Sequence, residues 1–266
     1  MRTFDLLGRP ELSMVSVESI GTRVIFWTGA NWASKHAAGL EVWELLCSRA
    51  TRIVEFGANV GYYTIVGAPA AQGTYTAFEP HPSSCAGLRR NLELNGIGGI
   101  TVHEAAAVPE SDLVTVELIC PTGNDRDAPS GAMVKGSPFE LDDPKRETQT
   151  VLVRAEPFTP AIAGSDLVKI DVEGLEAQLL TSGWGQLTAD RPAVMVEVHE
   201  HNRELRSLLP KLIADLDATA FAMKRDHLIR VEPGVLECGL LATYGTWDFL
   251  IVPRDRSAFI DGLVRG

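Results

Sequence analysis

The chain has 266 residues, of which 45% are hydrophobic, and a formal charge of −11. That is enough apolar material for a packed core, so disorder is not the default. The acidic balance, with no Lys/Arg run to offset it, is a poor start for gripping a phosphate backbone or an anionic membrane, so neither nucleic acid nor membrane is the expected partner.

Cys47, Cys85, Cys120 and Cys238 are widely spaced, with no C-x-x-C or Cys/His pairing. A structural zinc and a disulfide framework are therefore not expected, and the thiols read as bystanders in a reducing compartment. Residues 1–21 lack an apolar leader core, and no later segment offers about 18 uncharged apolar residues. A cytoplasmic protein is the expectation.

The length suits one α/β domain with an extension. Residues 1–50 are read as an N-terminal extension that caps the ligands or merely packs. Within it, Val15 to Ile20 and Thr22 to Trp27 suggest two short strands. From Ser34 to Ala50, the positions Ala38, Val42, Leu45 and Leu46 mark one face of a helix, with Ser34 as a candidate cap.

The main domain is read as 51–266. Ile53, Val54 and Phe56 form a short apolar run that stops at Gly57 and Gly61, and the apolar segment Tyr62 to Ala71 follows. This is the pattern of a buried strand, a tight turn and a helix packed back on the sheet. Glycine suits positions where backbone must approach a ligand closely, since a Cβ would collide with it.

A second strand, Thr74 to Phe78, ends at Glu79, where dinucleotide-type folds keep a carboxylate for the hydroxyls of an adenosine ribose. Pro80 to Ser84 reads as a turn and helix cap, Leu88 and Leu92 mark the helix, and Asn95-Gly96 ends it. Ile100 to Ala106 is expected as a third strand, and Glu104 and Ala105 near its end as neighbours of the adenine. Leu113 to Ile119 and Thr148 to Val153 alternate like added strands. The Gly-, Pro- and Asp-rich stretch between them, 121–147, is expected to be a substrate loop, with a surface insertion as the plainer reading.

Asp166 to Asp171 should be another buried strand, with a helix from near Glu173 that turns Leu175, Leu179 and Leu180 inward. Val194 to His199 is a further strand. Glu204 to Leu216 has helical spacing, with Pro210 expected to kink it or to start a second piece. Strand pairs near Ala218 to Met223 and Trp247 to Val252 complete the chain. The alternation predicts a doubly wound, mostly parallel Rossmann-like sheet with a late antiparallel hairpin.

Charge indicates which nucleoside is held. Pyrophosphate calls for G-x-G-x-x-G at a helix N-terminus, whereas here the order is E-x-G-x-N-x-G, with Asn59 between Gly57 and Gly61 and Glu55 ahead of them. A carboxylate there repels pyrophosphate and favours a cation. S-adenosylmethionine has no phosphate and carries a sulfonium and an ammonium, so it is the expected cofactor. Its candidate binding residues are Glu55, Gly57, Asn59, Gly61, Tyr63, Glu79, Glu104, Ala105 and Asp171.

Ligands of open parallel sheets lie beyond the carboxyl ends of the strands, and Glu55, Glu79, Asp171 and Glu197 occupy or adjoin such ends. Lys169 and Asp171 share a side of their strand. A lysine in so apolar a run needs a partner, and an internal ion pair with Asp171, Glu173 or Glu176 is the plain reading. The sharper one makes Lys169 and Asp171 catalytic, with Asp171 beside the reacting methyl and His199 as general base. Asp171, Glu197 and His199 are also an oxygen-rich set that would suit magnesium. Carboxylates there can equally hold hydrogen bonds, and that reading is preferred to a metal.

Three segments carry a family resemblance: Glu55-Phe56-Gly57-Ala58-Asn59-Val60-Gly61-Tyr62-Tyr63-Thr64, Phe78-Glu79-Pro80-His81-Pro82, and Val168-Lys169-Ile170-Asp171-Val172-Glu173-Gly174-Leu175-Glu176. In this order they resemble the FkbM family of S-adenosylmethionine-dependent methyltransferases, over roughly residues 51–200. Glu55 stands where many members have Asp. The resemblance implies a class I methyltransferase fold and O-methylation, most often of hydroxyls on natural products or sugars and in some relatives of carboxylates. The competing readings are a nicotinamide dehydrogenase, disfavoured by the glycine spacing and Glu55, and a non-catalytic nucleoside-binding protein.

Overall fold

The computed structural model describes residues 3–6, 9–15, 39–109, 112–122, 131–137, 147–239 and 241–265. Strands β1 (Thr3–Leu6) and β2 (Arg9–Val15) form an antiparallel hairpin. Helix α1 (Leu40–Cys47) follows. The expected strands Val15 to Ile20 and Thr22 to Trp27, apart from Val15 at the end of β2, and the candidate cap Ser34 lie outside the described residues.

The chain then alternates as its apolar runs dictate. β3 (Arg52–Phe56), α2 (Tyr62–Gly67), β4 (Thr74–Phe78), α3 (Pro82–Leu94) and β5 (Ile100–His103) lead the series. A separate, smaller sheet contains β6 (Ala106–Val108), β7 (Thr115–Pro121), β8 (Met133–Val134) and β9 (Thr148–Pro157) in the order β6-β9-β7-β8. After the short helix α4 (Phe158–Ile162) come β10 (Leu167–Ile170), α5 (Glu176–Ser182), α6 (Trp184–Asp190) and β11 (Ala193–Glu197). α7 (Arg203–Asp215), β12 (Ala218–Met223), β13 (Leu228–Val231), α8 (Pro233–Cys238) and β14 (Asp248–Pro253) complete the fold.

The main sheet has eight strands in the order β13-β12-β14-β11-β10-β3-β4-β5. β5, β4, β3, β10 and β11 run parallel, and β14 is antiparallel to both of its neighbours, β11 and β12. Strand alternation sends side chains to two faces. Ile53, Leu167, Met195 and Leu250 pack with α1, α2 and α3 on one, while Val54, Phe56, Val168, Ile170, Val194 and Val196 pack with α5 and α7 on the other. The sheet is thus covered on both faces, which is why its central strands read as unbroken apolar runs.

Four expectations need correction. The segment Ile100 to Ala106 is not one strand: the chain leaves the main sheet after His103, and Ala106–Val108 pairs with β9 instead. The stretch 121–147 is not wholly loop, because Met133–Val134 pairs with Leu118 and Ile119 of β7. The helix expected near Glu173 starts at Glu176, since positive φ at Glu173 and Gly174 delays it. Pro210 does not start a second piece: α7 runs through it as one helix, its Leu205, Leu209, Leu212 and Ile213 buried. Cys47, Cys85 and Cys120 are buried and Cys238 is exposed, all four as thiols.

Candidate active site

The bend after β3 is held by its own backbone and by one carboxylate. The Gly57 and Ala58 amides both donate to the Phe78 carbonyl, each at 3.0 Å. Glu79 then accepts from the Asn59 amide at 2.7 Å through Oε2 and from the His81 amide at 2.8 Å through Oε1. Asn59 has φ +49° and bonds the next amide, that of Val60, with its own Oδ1. Asn tolerates this left-handed backbone because its short polar side chain bonds locally.

The protein's own packing leaves no room for a side chain at either glycine. A Cβ on Gly57 would lie 1.6 Å from the Asp171 carbonyl oxygen, and one on Gly61 would lie 2.4 Å from Leu88 Cδ1. Both residues have positive φ. They are needed to bring β3 against the β10 loop and α2 against α3, without reference to a ligand.

Glu55 and Lys169 are register partners on adjacent strands and point to the α1–α3 face. Glu55, 1% exposed, accepts the Tyr75 hydroxyl at 2.6 Å and the Thr64 hydroxyl at 2.7 Å through Oε2. Lys169 Nζ sits 2.8 Å from Asp171 Oδ2, 4.0 Å from Glu55 Oε1 and 4.8 Å from the Tyr63 ring centroid. Burial alone would lower the Lys169 pKa, but the Asp171 and Glu55 carboxylates outweigh it and raise it. The ammonium is therefore a fixed cation whose visible task is to hold Asp171 in place. Glu55 acts from beneath the bend, through buried bonds, rather than along its edge.

Glu197 and Asp248 are register partners on β11 and β14. Asp248 was not anticipated. It accepts the Tyr63 hydroxyl at 2.6 Å, and burial pushes its carboxyl up to about 6. Glu197 Oε2 lies 3.0 Å from His199 Nε2. Burial first, then the charges of Asp171, Asp248 and Glu176, hold the Glu197 carboxyl well above its usual range. The His199 ring is stacked on His201, 5.1 Å between centroids, and leans on Trp247 at 5.0 Å. An antiparallel strand offers its first residue to the rim where parallel strands offer their last, and this geometry was the available signal for Asp248.

Glu176 organises the loop between these halves. It accepts from the Val172 amide at 3.2 Å, the Gly174 amide at 3.0 Å and Asn202 Nδ2 at 3.1 Å. Gathering the amides on both sides of Glu173 fits that residue's left-handed φ of +54°. Glu104 lies in an exposed ion pair with Arg89 at 2.9 Å, and Ala105 is fully buried.

Asp171, Glu197 and His199 do not converge as a metal shell. Among the described residues no group of three His, Cys, Asp or Glu side chains could hold an ion. Asp171 is turned to Lys169, and Glu197 to His199.

For a nucleoside the fit is better. Burial pushes Glu79 up to about 7, a cost that hydroxyl donors to its carboxylate would offset. Beside it His81 Nδ1 and, in the first turn of α3, Ser84 Oγ are buried with no hydrogen-bond partner among the described residues. An adenosine brings donors and acceptors for such atoms, and the residues present fit it.

Comparison with known proteins agrees. The Methyltransferase FkbM domain matches residues 55–223. A curated relative, Methyltransferase 1 of Beauveria bassiana (strain ARSEF 2860), is 27% identical over 140 residues, covering 48% of this chain and 56% of the relative. Among solved structures, Methyltransferase FkbM from Methylobacillus flagellatus KT gives a TM-score of 0.44 at 15% identity, over 90% of this chain and 55% of that one. The O-methyltransferase TomG from Streptomyces achromogenes, involved in tomaymycin synthesis, gives 0.40 at 16% identity, over 79% and 77%. The chain thus spans a little over half the length of its first relatives. No helix among the described residues is long and apolar enough to cross a membrane.

Proposed function

Because the chain belongs to the FkbM family of S-adenosylmethionine-dependent methyltransferases, we propose that it methylates a hydroxyl oxygen of a small molecule, a natural product or sugar. The observation that carries the cofactor half of this reading is Glu79, a carboxylate clamped to the Gly57–Gly61 bend by the Asn59 amide. Bound cofactor supplies an activated methyl on a sulfonium, so the protein's task is alignment and removal of one proton.

Glu79 receives the ribose hydroxyls, with Gly57, Asn59 and Gly61 shaping the bend beneath. Glu55 and Asp171 place negative charge under the cationic end; Lys169 keeps both carboxylates in position, and the Tyr75 and Thr64 hydroxyls also hold Glu55. His199, oriented by Glu197, takes the proton of the acceptor hydroxyl. The acids Asp171 and Asp248 along this rim disfavour an anionic acceptor, which supports a hydroxyl over a carboxylate as the methylated group.

The test is transfer of labelled methyl from S-adenosylmethionine to a panel of hydroxylated and carboxylated acceptors, beside titration with S-adenosylhomocysteine. Label on a hydroxyl oxygen is expected. Tight NAD binding with no S-adenosylhomocysteine binding would reject the assignment, and label found only on carboxylates would reject the acceptor class.

A further inference from the structure

Glu173 has no part in the assignments above, yet its placement is costly. Its backbone is left-handed, a conformation that favours glycine and that a long side chain adopts at a cost. Its carboxyl is the one rim acid for which the described residues provide neither a hydrogen bond nor an ion pair. Asp171 has Lys169, Glu197 has His199, Asp248 has Tyr63, and Glu176 has backbone amides. The charged groups it faces are Glu197 on β11, Asp171 on its own loop, Glu176 on α5 and His199 after β11.

The stretch between β7 and β9 reaches the same point, where the Ser137 hydroxyl donates to the Glu173 carbonyl at 3.4 Å. Glu173 therefore sits between Ser137 and the His199–Glu197 pair.

We propose that Glu173 is a specificity-determining residue that anchors the acceptor, its carboxyl accepting a hydrogen bond from a second donor group, hydroxyl or ammonium, next to the hydroxyl that is methylated. Acceptors with two adjacent donors are then favoured over simple alcohols, and anionic acceptors are excluded. Burial, reinforced by the charges of Glu197 and Asp171, pushes the carboxyl up to about 8. A donor from the acceptor lowers that cost, and an ammonium lowers it further. Strain and an unmatched acid are retained because the bound acceptor offsets them. The inference rests on the methyltransferase reading.

The experiment compares wild type with Glu173→Gly and Glu173→Gln. Glycine suits the observed φ, and glutamine keeps the shape without the charge. Three quantities are read: S-adenosylhomocysteine affinity, Tm, and KM against kcat for a vicinal diol, an amino alcohol, a simple alcohol and a carboxylic acid. For Glu173→Gly the expectation is cofactor affinity within about twofold of wild type, Tm at or above it, and KM for the diol or amino alcohol raised about 10- to 100-fold, as for a lost hydrogen bond to a charged group. Glu173→Gln should raise KM for the amino alcohol far more than for the diol if the second donor is an ammonium, and similarly for both if it is a hydroxyl.

Unchanged KM in both variants overturns the anchoring role and leaves the methyltransferase reading standing. A fall in Tm for Glu173→Gly shows a structural residue and also overturns it, even where no probe is methylated. A wild type that binds no S-adenosylhomocysteine removes the underlying reading, and the inference goes with it.

Discussion

The two halves of the site are built on opposite principles. Around the bend every carboxylate is engaged: Glu79 by two backbone amides, Glu55 by two hydroxyls. Across the β10–β11–β14 rim, acids crowd one another, and burial raises Asp248 to about 6 and Glu173 to about 8. The contrast teaches that the bend's carboxylates are already fixed in place by donors of the protein, whereas the rim acids face one another and keep an electrostatic cost that a bound molecule would lessen. Preorganisation of this kind suits a constant nucleoside, and an under-satisfied rim suits a variable acceptor.

The strongest way to break the comparison is at Gly57. Gly57→Ala sets a methyl against the Asp171 carbonyl at positive φ, and a loss above about 4 kcal/mol is expected. Denaturant unfolding measures it, and near-wild-type stability would refute the rigid bend. Next, Lys169→Met strands Glu55 and Asp171 without their cation, with an expected loss of about 3 kcal/mol, at the low end because Asp171 is 29% exposed. The same unfolding experiment checks it, and a loss under about 1 kcal/mol would show that the ammonium is not a structural counter-charge.

Glu79→Ala should weaken S-adenosylhomocysteine binding by about 2 kcal/mol, roughly 30-fold. Calorimetry decides, and unchanged affinity would remove Glu79 from the ribose. A smaller effect, about 1 kcal/mol of stability, is expected for Tyr63→Phe, which deprives Asp248 of its hydroxyl partner. That change should also raise the Asp248 carboxyl further, a shift visible by NMR titration.

The pH dependence sharpens the contrast most gently. An acid whose folded pKa exceeds its unfolded value binds protons more tightly when folded, so stability falls as pH rises through that interval. With Glu79 at about 7 and Glu173 at about 8, the ligand-free protein should melt at lower temperature at pH 8.5 than at pH 5.5. Cofactor affinity should run the other way, rising with pH up to about 7, because the ribose needs an ionised Glu79. A stability profile that rises with pH would contradict the raised acids.

What the sequence made legible follows from burial. β3, β4, β10, β11 and β12 are covered on both faces, and their apolar runs announced them. The N-terminal hairpin was unreadable because Arg9-Pro10-Glu11-Leu12-Ser13 carries no clean alternation. α6 was missed because Gly183 separates it from α5 by a single residue. The turn between β5 and β6 was hidden because Glu104 and Ala105 do not look like a break, although the strand changes sheets there. In the site, strand-end acids were readable from position alone. The left-handed Glu173 and the reach of β14 to Glu197 depend on contacts between segments distant in the chain.

The placement of β14 has a consequence for biosynthesis. Residues 248–253 fill the slot between β11 and β12, strands made some 25 to 60 residues earlier. Until that segment leaves the ribosome, the growing polypeptide presents two open hydrogen-bonding edges and lacks Asp248, while the nucleoside half is already translated. A nascent chain halted just before Asp248 should depend on chaperones to stay dispersed, and emergence of residues 248–253 should be the moment at which the sheet closes.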